Sequence, residues 1–336
     1  MSRVADIIAW TRWPAYALLG LFIVSELLTD RVHAMQWAWW IPRPFLSGSA
    51  LAWLVVVELV ELKFGAMKFG VRAGRGERGS PRRVLRGNRW AVAVAAVCAA
   101  YALHGMWRPA VPRPVDGVRL VHWNASFIDR EADTPTLIGL LLALDADIVI
   151  VTDPGILWAG DGAVRFAAKG YELQSAGRFG VASRIPVAEA RPILAQGRNH
   201  ASRIEVDTRL GRLSIEAIDL PSDPWRSRWQ TVTTVAGALA AQRAAGASGE
   251  SGEAPDVIVG DFNITRGSAS LRGFGAGYDE AFAAAGSGWG GTYHRERPWW
   301  AIDLALVGGR WKPARSEIVD PGVERHRLQV VDLSRR

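Results

Sequence analysis

The sequence predicts a chain in two parts, about three transmembrane α-helices followed by an α+β sandwich. Long apolar runs lie within the first 107 residues. Those residues carry 13 Lys and Arg against 6 Asp and Glu, whereas residues 108–336 carry 27 of each. From Val118 onward, short segments with the period of a strand alternate with helix-like segments. Such alternation is typical of a domain with mixed layers of sheet and helix.

Three apolar runs are the candidates for the membrane part: Pro14–Leu28, Phe45–Leu62 and Trp90–Trp107. A helix that crosses a bilayer needs about 20 mostly apolar residues. Eight of the 16 tryptophans lie in the first 107 residues, mostly near the ends of these runs, as in an interfacial aromatic belt. An alternative is a signal peptide followed by soluble helices, but no small-residue cleavage site follows the first run.

The loop between the second and third runs predicts the orientation. Residues 63–89 hold nine Lys and Arg and a single acidic residue, Glu77. Because basic loops stay in the cytoplasm, the third span then runs outward. We therefore expect a multi-pass protein of the cell membrane whose C-terminal domain is extracytoplasmic. A basic loop of this kind is also compatible with nucleic-acid binding, but its two apolar neighbours favour the membrane.

The domain boundaries follow from composition. We assign residues 1–107 to a membrane domain, residues 108–117 to a linker with three prolines, and residues 118–336 to the globular domain. The single cysteine, Cys98, excludes an internal disulfide framework and a Cys-rich metal site. Since the globular part has no net charge, we do not expect it to bind nucleic acid sequence-specifically.

The globular part shows the periodicity of nine strands and two helices. Val118–Asn124 alternates like a half-buried strand, and runs such as Ala146–Val151 are short and apolar, as in buried strands. The other expected strands are Phe179–Ser183, Ile185–Val187, Arg203–Val206, Arg212–Leu220, Asp256–Val259, Ile302–Val307 and Leu328–Leu333, and the expected helices are Thr136–Leu144 and Trp225–Arg243. This mixture predicts a sandwich of two or four layers.

Polar residues follow the ends of these strands, where ligands commonly bind. They are Asn124, Asp153, Asp219, Asp261, Asn263, Asp303 and His326. Oxygen ligands with one histidine and no cysteine suit Mg²⁺ or Mn²⁺ better than zinc. Singly, each of these residues is more often a turn, cap or surface residue. Their ordered recurrence along the chain is what indicates a site.

Five segments from Val118 to Leu333 resemble the endonuclease/exonuclease/phosphatase family. They are LVHWNAS (120–126), GVASRIPV (180–187), VIVGDFNITRGSASLRGF (257–274), AIDLALV (301–307) and VERHRLQVVDL (323–333). This family of metal-dependent phosphodiesterases includes pancreatic-type DNases, abasic-site endonucleases, sphingomyelinases and inositol phosphatases. The resemblance implies a four-layered α/β/β/α sandwich, and the layout resembles a membrane-anchored bacterial type.

The resemblance also implies a role for each matching residue. Asn124, Asp153 and Asp261 fall at metal-binding positions, for Mg²⁺ or Mn²⁺. Asp261 and Asn263 fall where the family positions the nucleophilic water and the phosphate. His326 falls on the histidine that acts as general acid/base or contacts the phosphate, and Asp303 falls on the carboxylate that orients it. Such a pair is chemically sound because the carboxylate selects the tautomer and raises the basicity of the imidazole.

Three positions depart from the family pattern. Asp153 stands where the family has Glu, Asp219 where it has His, and Arg325 where it has Asp. Asp153 is one methylene shorter, and Asp219 replaces a hydrogen-bond donor by an anion that repels phosphate. We expect Arg325 either to clamp the phosphate or to pair with Asp219.

Two functions remain open from the sequence. One is a membrane-anchored phosphoesterase or phosphodiesterase with a phosphate-ester substrate, such as a lipid headgroup or a small phosphodiester. The other is a catalytically degenerate module that binds a ligand or partner. The retained residues Asn124, Asp261, Asn263, Asp303 and His326 favour the enzyme. Trp299 and Trp300 precede the Asp303 strand and fit either a lipid or base contact or the core.

Overall fold

The structure, a computed structural model, describes residues 10–73, 89–125, 134–245 and 253–336. The chain divides into two units, Met1–Gly105 and Met106–Arg336. The first unit contains four described helices, which are α1 (Trp13–Leu28), α2 (His33–Trp40), α3 (Arg43–Ala73) and α4 (Arg89–Met106). Pro14 lies in the first turn of α1, where its missing N–H costs no hydrogen bond. Ala15, Leu54 and Ala95 make an apolar contact among α1, α3 and α4.

Two of the three expected spans pass a test of length and composition. Arg43–Val60 and Arg89–Met106 are each 18 residues long and apolar enough to cross a membrane, and less than a third of each is buried within the protein. Helix α1 has 16 residues and is shorter than this test requires. Three spans therefore remain a prediction. Most of the basic loop that predicts the orientation lies at residues 74–88, outside the described residues.

The second unit contains two sheets. Their strands are β1 (Trp107–Arg108), β2 (Val118–Asn124), β3 (Ile148–Thr152), β4 (Glu172–Ala176), β5 (Phe179–Ser183), β6 (Val187–Gln196), β7 (Asn199–Thr208), β8 (Gly211–Asp219), β9 (Val257–Asp261), β10 (Asp279–Glu280), β11 (Gly286–Trp289), β12 (Asp303–Val307), β13 (Trp311–Val319) and β14 (Leu328–Arg335). One sheet has the order β1-β11-β13-β14-β2-β3-β5-β4, and the other β10-β12-β9-β8-β7-β6. The helices are α5 (Thr134–Ala143), α6 (Asp161–Ala168), α7 (Arg228–Ala245) and α8 (Ala281–Ala285).

Three apolar clusters define the layers. Leu120 and Ile148 of one sheet meet Ile215 and Val259 of the other, which forms a core between the sheets. The outer face of the eight-stranded sheet packs on α5 and α6, through residues such as Val121, Trp123, Leu137 and Phe166. The outer face of the six-stranded sheet packs on α7, through residues such as Ile258, Val232 and Leu239. The order is helix, sheet, sheet, helix, so a mixed α and β domain with two sheets is confirmed and four layers replace the alternative of two.

Several strands and helices were not predicted from the sequence. Strand β6 extends well past the expected Val187 to Gln196, but most of its side chains are exposed or half-buried, so its apolar alternation is faint. Strand β13 was not expected because a register shift between Pro313 and Arg315 interrupts its pattern. The short strand β4 and the helix α6 were also missed.

Residues 108–117, which the sequence assigns to a linker, belong to the second unit and are bonded to its larger sheet. Strand β1 pairs with β11 through Trp107 and Trp289. The backbone N of Val111 donates to the Ser287 hydroxyl at 3.1 Å, and Arg315 Nε donates to the Val111 carbonyl at 2.7 Å. These contacts attach the Pro-rich segment to the edge of the eight-stranded sheet.

Gly260 should be indispensable to the second unit. It has φ +155°, and a Cβ there would lie 1.8 Å from the backbone oxygen of Ile218 on the neighbouring strand. We expect Gly260→Ala to lower the free energy of unfolding by about 3 kcal/mol or more, because β8 and β9 would have to separate. The measurement is thermal or denaturant unfolding.

Gly237→Ala in α7 is the matched control. A Cβ at Gly237 meets nothing within 4 Å, so this change should be neutral or stabilising by about 0.5–1 kcal/mol. Equal effects of the two changes would contradict the close approach of the strands at Gly260.

Candidate functional site

The candidate site lies at one end of the core between the two sheets. Val257 and Val259 of β9 face this core, so the two-residue period of a strand brings Asp261 to the same face. Ala305 and Val307 place Asp303 of β12 in the same way. The two aspartates are opposite each other in the antiparallel pairing of β9 and β12. Two carboxylates therefore meet at the end of the six-stranded sheet.

Asn124 joins the other sheet to this point. It ends β2, on the core-facing side of Leu120, and its Nδ2 donates to Asp261 Oδ2 at 2.8 Å. Asn263 supplies the second contact to this carboxylate, because its backbone N donates to Asp261 Oδ1 at 2.9 Å. The Asn263 side chain donates to the Leu220 carbonyl at 2.8 Å, and its φ of 48° is one that Asn tolerates better than most residues. Both oxygens of Asp261 are thus held in place.

His326 and Asp303 form the expected pair. His326 Nδ1 lies 2.9 Å from Asp303 Oδ2, and its Nε2 lies 3.9 Å from Asp261 Oδ2. His326 precedes β14, pairs through its backbone with Tyr293, and has the Tyr293 ring 4.9 Å from its own. An Nδ1–H that donates to the carboxylate directs Nε2 toward Asp261. We call Asp261, Asp303 and His326 the Asp261 group.

Asp153 and Asp219 are bridged by an arginine that the sequence reading missed. Arg178 Nε donates to Asp153 Oδ1 at 2.9 Å, a second guanidinium nitrogen contacts Asp153 Oδ2, and a third lies 2.9 Å from Asp219 Oδ2. Asp219, for which pairing with Arg325 was one of two expectations, is paired with Arg178. Arg325 is exposed, and its carbonyl accepts from the Arg295 backbone N at 2.7 Å. We call Arg178, Asp153 and Asp219 the Arg178 bridge.

Burial and mutual charge set the ionisation of the His326–Asp303 pair. Burial by itself disfavours the imidazolium, but the Asp303 carboxylate outweighs it and raises the pKa of His326 to about 9. Burial likewise disfavours the Asp303 carboxylate, yet the charge and hydrogen bond of His326 hold the pKa of Asp303 below its ordinary value. At neutral pH the pair is an imidazolium next to a carboxylate.

The other two acids have raised pKa values. Burial, with the Asp303 charge added, raises the pKa of Asp261 to about 7. Burial raises the pKa of Asp219 to about 6, although Arg178 opposes the shift. Asp261 therefore exchanges its proton close to neutral pH, as a general base should. A nearby cation also stabilises the charged form of a carboxylate that is buried next to a second carboxylate.

The Asp261 group fits a divalent cation. One ligand atom from each of its three residues lies within 4.8 Å of the others. Asp303 Oδ1 is buried and has no hydrogen-bond partner, which leaves an acceptor that an ion would satisfy. Two carboxylates and one imidazole suit Mg²⁺ or Mn²⁺. Of the expected ligands Asn124, Asp153 and Asp261, Asp261 belongs to this group, Asn124 touches it, and Asp153 is held by Arg178.

Other polar and aromatic residues of the site had only weak signals in the sequence. His122 lies fully buried between the sheets, its Nε2 is 3.2 Å from Thr152 Oγ1, and burial lowers its pKa to about 4. Its place two residues before Asn124 on the same strand face is a signal that periodicity offers. Trp299 and Trp300 are half-buried, and Trp299 packs edge-on against Trp289 at 5.6 Å. Trp299 and Trp300 therefore lie partly within the hydrophobic core.

The pH dependence of stability should report the His326–Asp303 pair. A histidine whose pKa rises from 6.5 to about 9 on folding stabilises fully below pH 6.5 and loses this effect as the pH rises through 9. Between these values, the unfolding free energy of the metal-free protein should fall by on the order of 3 kcal/mol. The measurement is unfolding in the presence of a chelator across this range.

His326→Gln should flatten most of this pH dependence. His294→Gln is the control, because His294 is exposed and lies outside the Asp261 group. Identical slopes for the wild type and His326→Gln would contradict a charged pair.

Two of three comparisons with known proteins found a match. The sequence profile of the Endonuclease/Exonuclease/phosphatase family matches residues 121–334. No protein of curated function matches the chain in sequence. Solved structures with a similar fold include an endonuclease/exonuclease/phosphatase family protein from Bacteroides thetaiotaomicron, with a TM-score of 0.52 at 13% identity over 65% of this chain and 97% of that one.

Two further structures have comparable likeness. The human Nocturnin catalytic domain with bound sulfate anion has a TM-score of 0.51 at 14% identity over 68% of this chain and 98% of that one. The mannosyl-6-phosphatase of Bacteroides thetaiotaomicron VPI-5482 has a TM-score of 0.50 at 13% identity over 65% and 99%. At such identities the likeness shows the fold. Because the family profile covers well over half of the chain, this protein belongs to the Endonuclease/Exonuclease/phosphatase family.

Proposed function

We propose that the protein is a membrane-anchored, metal-dependent phosphoesterase that hydrolyses a phosphate ester outside the cytoplasmic membrane. The observation that carries the proposal is the Asp261 group, an imidazole oriented by one buried carboxylate and facing a second. Family membership supports the reaction class, and one fold neighbour is a mannosyl-6-phosphatase.

Asp261 is the candidate general base. Asn124 and Asn263 hold its two oxygens, and its pKa of about 7 matches a group that takes up a proton near neutral pH. A water next to this carboxylate would give its proton to Asp261 as its oxygen bonds to phosphorus. The ester oxygen would then leave with the electrons of the broken P–O bond and take a proton from solvent.

His326 is the candidate phosphate contact. Its Nε2 lies 3.9 Å from Asp261 Oδ2, too close for a base and an acid on opposite sides of an in-line displacement. An imidazolium beside the base instead donates to a phosphoryl oxygen on which charge develops. Asp303 keeps the imidazole charged and oriented.

Mg²⁺ or Mn²⁺ held by Asp261 and Asp303, with Asn124 as a further ligand, would polarise the phosphoryl oxygen and lower the pKa of the attacking water. A cation is also needed for charge, because Asp153, Asp219 and Asp303 face only Arg178 and His326 as positive groups among the described contacts. A phosphate approaching these carboxylates without added positive charge would be repelled.

A lipid headgroup or small phosphodiester is the proposed substrate class. Residues 108–336 have no net charge, which disfavours a long nucleic-acid partner. Trp225, in the segment that follows Asp219, is 74% exposed, and Trp229 at the start of α7 is 44% exposed. Exposed tryptophans are suited to a membrane interface.

A second candidate function is ligand binding without turnover. The Arg178 bridge favours it, because an arginine holds two of the acids that an active site would otherwise present. This module would bind a phosphate-bearing ligand and hydrolyse nothing.

Hydrolysis of bis-p-nitrophenyl phosphate by the purified full-length chain tests the proposal, because its leaving group needs no acid. We expect Mn²⁺-dependent turnover that falls about 10²–10⁴-fold in Asp261→Asn and in His326→Gln. His294→Gln, an exposed histidine of the same region, is the matched control and should keep wild-type activity.

Two outcomes would count against this mechanism. Turnover that survives His326→Gln unchanged would remove His326 from the mechanism. A lack of turnover on nucleic acid, phospholipid and small esters would favour the binding module.

The proposed topology has its own test. Two apolar helices and the nine basic residues at residues 63–89, a segment that begins within α3, support a cytoplasmic connection and an external C-terminal domain. A reporter enzyme that works only outside the cytoplasm should be active when fused after Leu333 and inactive when fused within that connection. Activity of a cytoplasm-specific reporter after Leu333 would reverse the orientation.

A further inference from the structure

Arg178 connects the two sheets of the sandwich at the candidate site. It lies in the turn between β4 and β5, next to Asp153, which follows β3 of the same sheet. Its other partner, Asp219, ends β8 of the opposite sheet. A single guanidinium therefore holds a carboxylate from each sheet, at 2.9 Å from Asp219 Oδ2 and with two nitrogens on Asp153.

The backbone fixes this arrangement. The Asp153 N–H donates to the Arg178 carbonyl at 2.8 Å, which continues the pairing of β3 with β5 by one residue. Asp153 has φ 52°, in the left-handed region that costs a non-glycine residue free energy. Gly177, with φ 61°, makes the turn that brings Arg178 to this place. A strained residue whose side chain is held by two hydrogen bonds is typical of a functional position.

The Arg178 bridge supplies positive charge to two carboxylates that would otherwise need another cation. Asp153 and Asp219 without Arg178 would present two negative charges next to the Asp261 group, and burial has already raised the pKa of Asp219 to about 6. Their oxygens are the ligands that Mg²⁺ or Mn²⁺ would take. Yet among the described residues the group suited to a metal contains neither of them.

The guanidinium also keeps donors for a ligand. Three of its five N–H groups are used by the contacts with Asp153 and Asp219, and two are left. The Arg178 side chain is 38% exposed, so a solute can reach it. A fixed guanidinium with outward N–H groups is a strong receptor for a phosphate oxygen.

We propose that Arg178 is a resident cation: it replaces a second divalent ion at Asp153 and Asp219, and it donates its remaining N–H groups to the phosphate of the substrate. The second part rests on the proposed function, whereas the first does not. The protein thus combines one exchangeable ion at the Asp261 group with one covalently attached charge.

Counting tightly bound Mn²⁺ on the full-length chain tests the replacement without any turnover. We expect one ion in the wild type and in Asp153→Asn, and loss of that ion in Asp261→Asn. Arg178→Met frees two carboxylates and should raise the count to two, and Arg178→Met with Asp153→Asn should return it to one. Arg184→Met is the matched control, because Arg184 pairs with the exposed Asp145 and should leave one ion.

The proposal is overturned if the wild type binds two ions, if Asp153→Asn loses its ion, or if folded Arg178→Met gains none. The ion count of Asp153→Asn still tests the proposal if Arg178→Met fails to fold, because Asn has nearly the same shape as Asp.

Binding of inorganic phosphate in saturating Mn²⁺ tests the second part. The Asp153→Asn variant and the Arg178→Met, Asp153→Asn double variant should hold the same single ion and differ only in the guanidinium, so these two variants are compared. We expect the Kd for phosphate to rise about 10-fold or more in the double variant, as for the loss of charged hydrogen bonds. Equal Kd values would remove Arg178 from phosphate binding, whether or not the protein turns over an ester.

Discussion

The hydrogen bond between Asn124 and Asp261 is the contact on which the candidate site depends. It joins the ends of two strands that belong to different sheets, at 2.8 Å and out of contact with bulk water. A buried carboxylate is costly unless its oxygens are bonded, and Asp261 meets this requirement through Asn124 and the backbone of Asn263. The sandwich therefore closes at this end around a polar group, and the residues brought there are held to within hydrogen-bond distance.

The same constraint explains why the site is so strongly charged. The inner faces of β8, β9 and β12 are apolar except at one end, where Asp219, Asp261 and Asp303 take the positions that Val and Ala hold farther inside. Low polarisability around these acids raises two of their pKa values and couples Asp303 to His326. Burial and mutual charge thus give a carboxyl group, that of Asp261, with a pKa of about 7 and an imidazole, that of His326, with a pKa of about 9.

The departures from the family pattern are mutually compensating. A shortened acid at 153 and an anion at 219 would each weaken phosphate binding separately, but Arg178 is paired with both. At Asp153 and Asp219 the positive charge thereby comes from an arginine side chain, while the Asp261 group retains the ligand set for an ion.

The sequence alone predicted the inner strands, a two-part layout and the residues of a candidate site, because local periodicity and motif order are present along the chain. Strand β2 was expected over Val118–Asn124 and observed there, and the pair of His326 with Asp303 was expected from the motifs. Most of strand β6 was not predicted because its exposed side chains leave no periodic signal. Strand β13 was not predicted because a bulge breaks its alternation. Which charges pair depends on the tertiary structure: Asp219 is far from Arg178 in the chain, and the packing of the two sheets brings them together. Ion pairing depends on distance in space, and a sequence of charges carries no such distances until the sheets are packed.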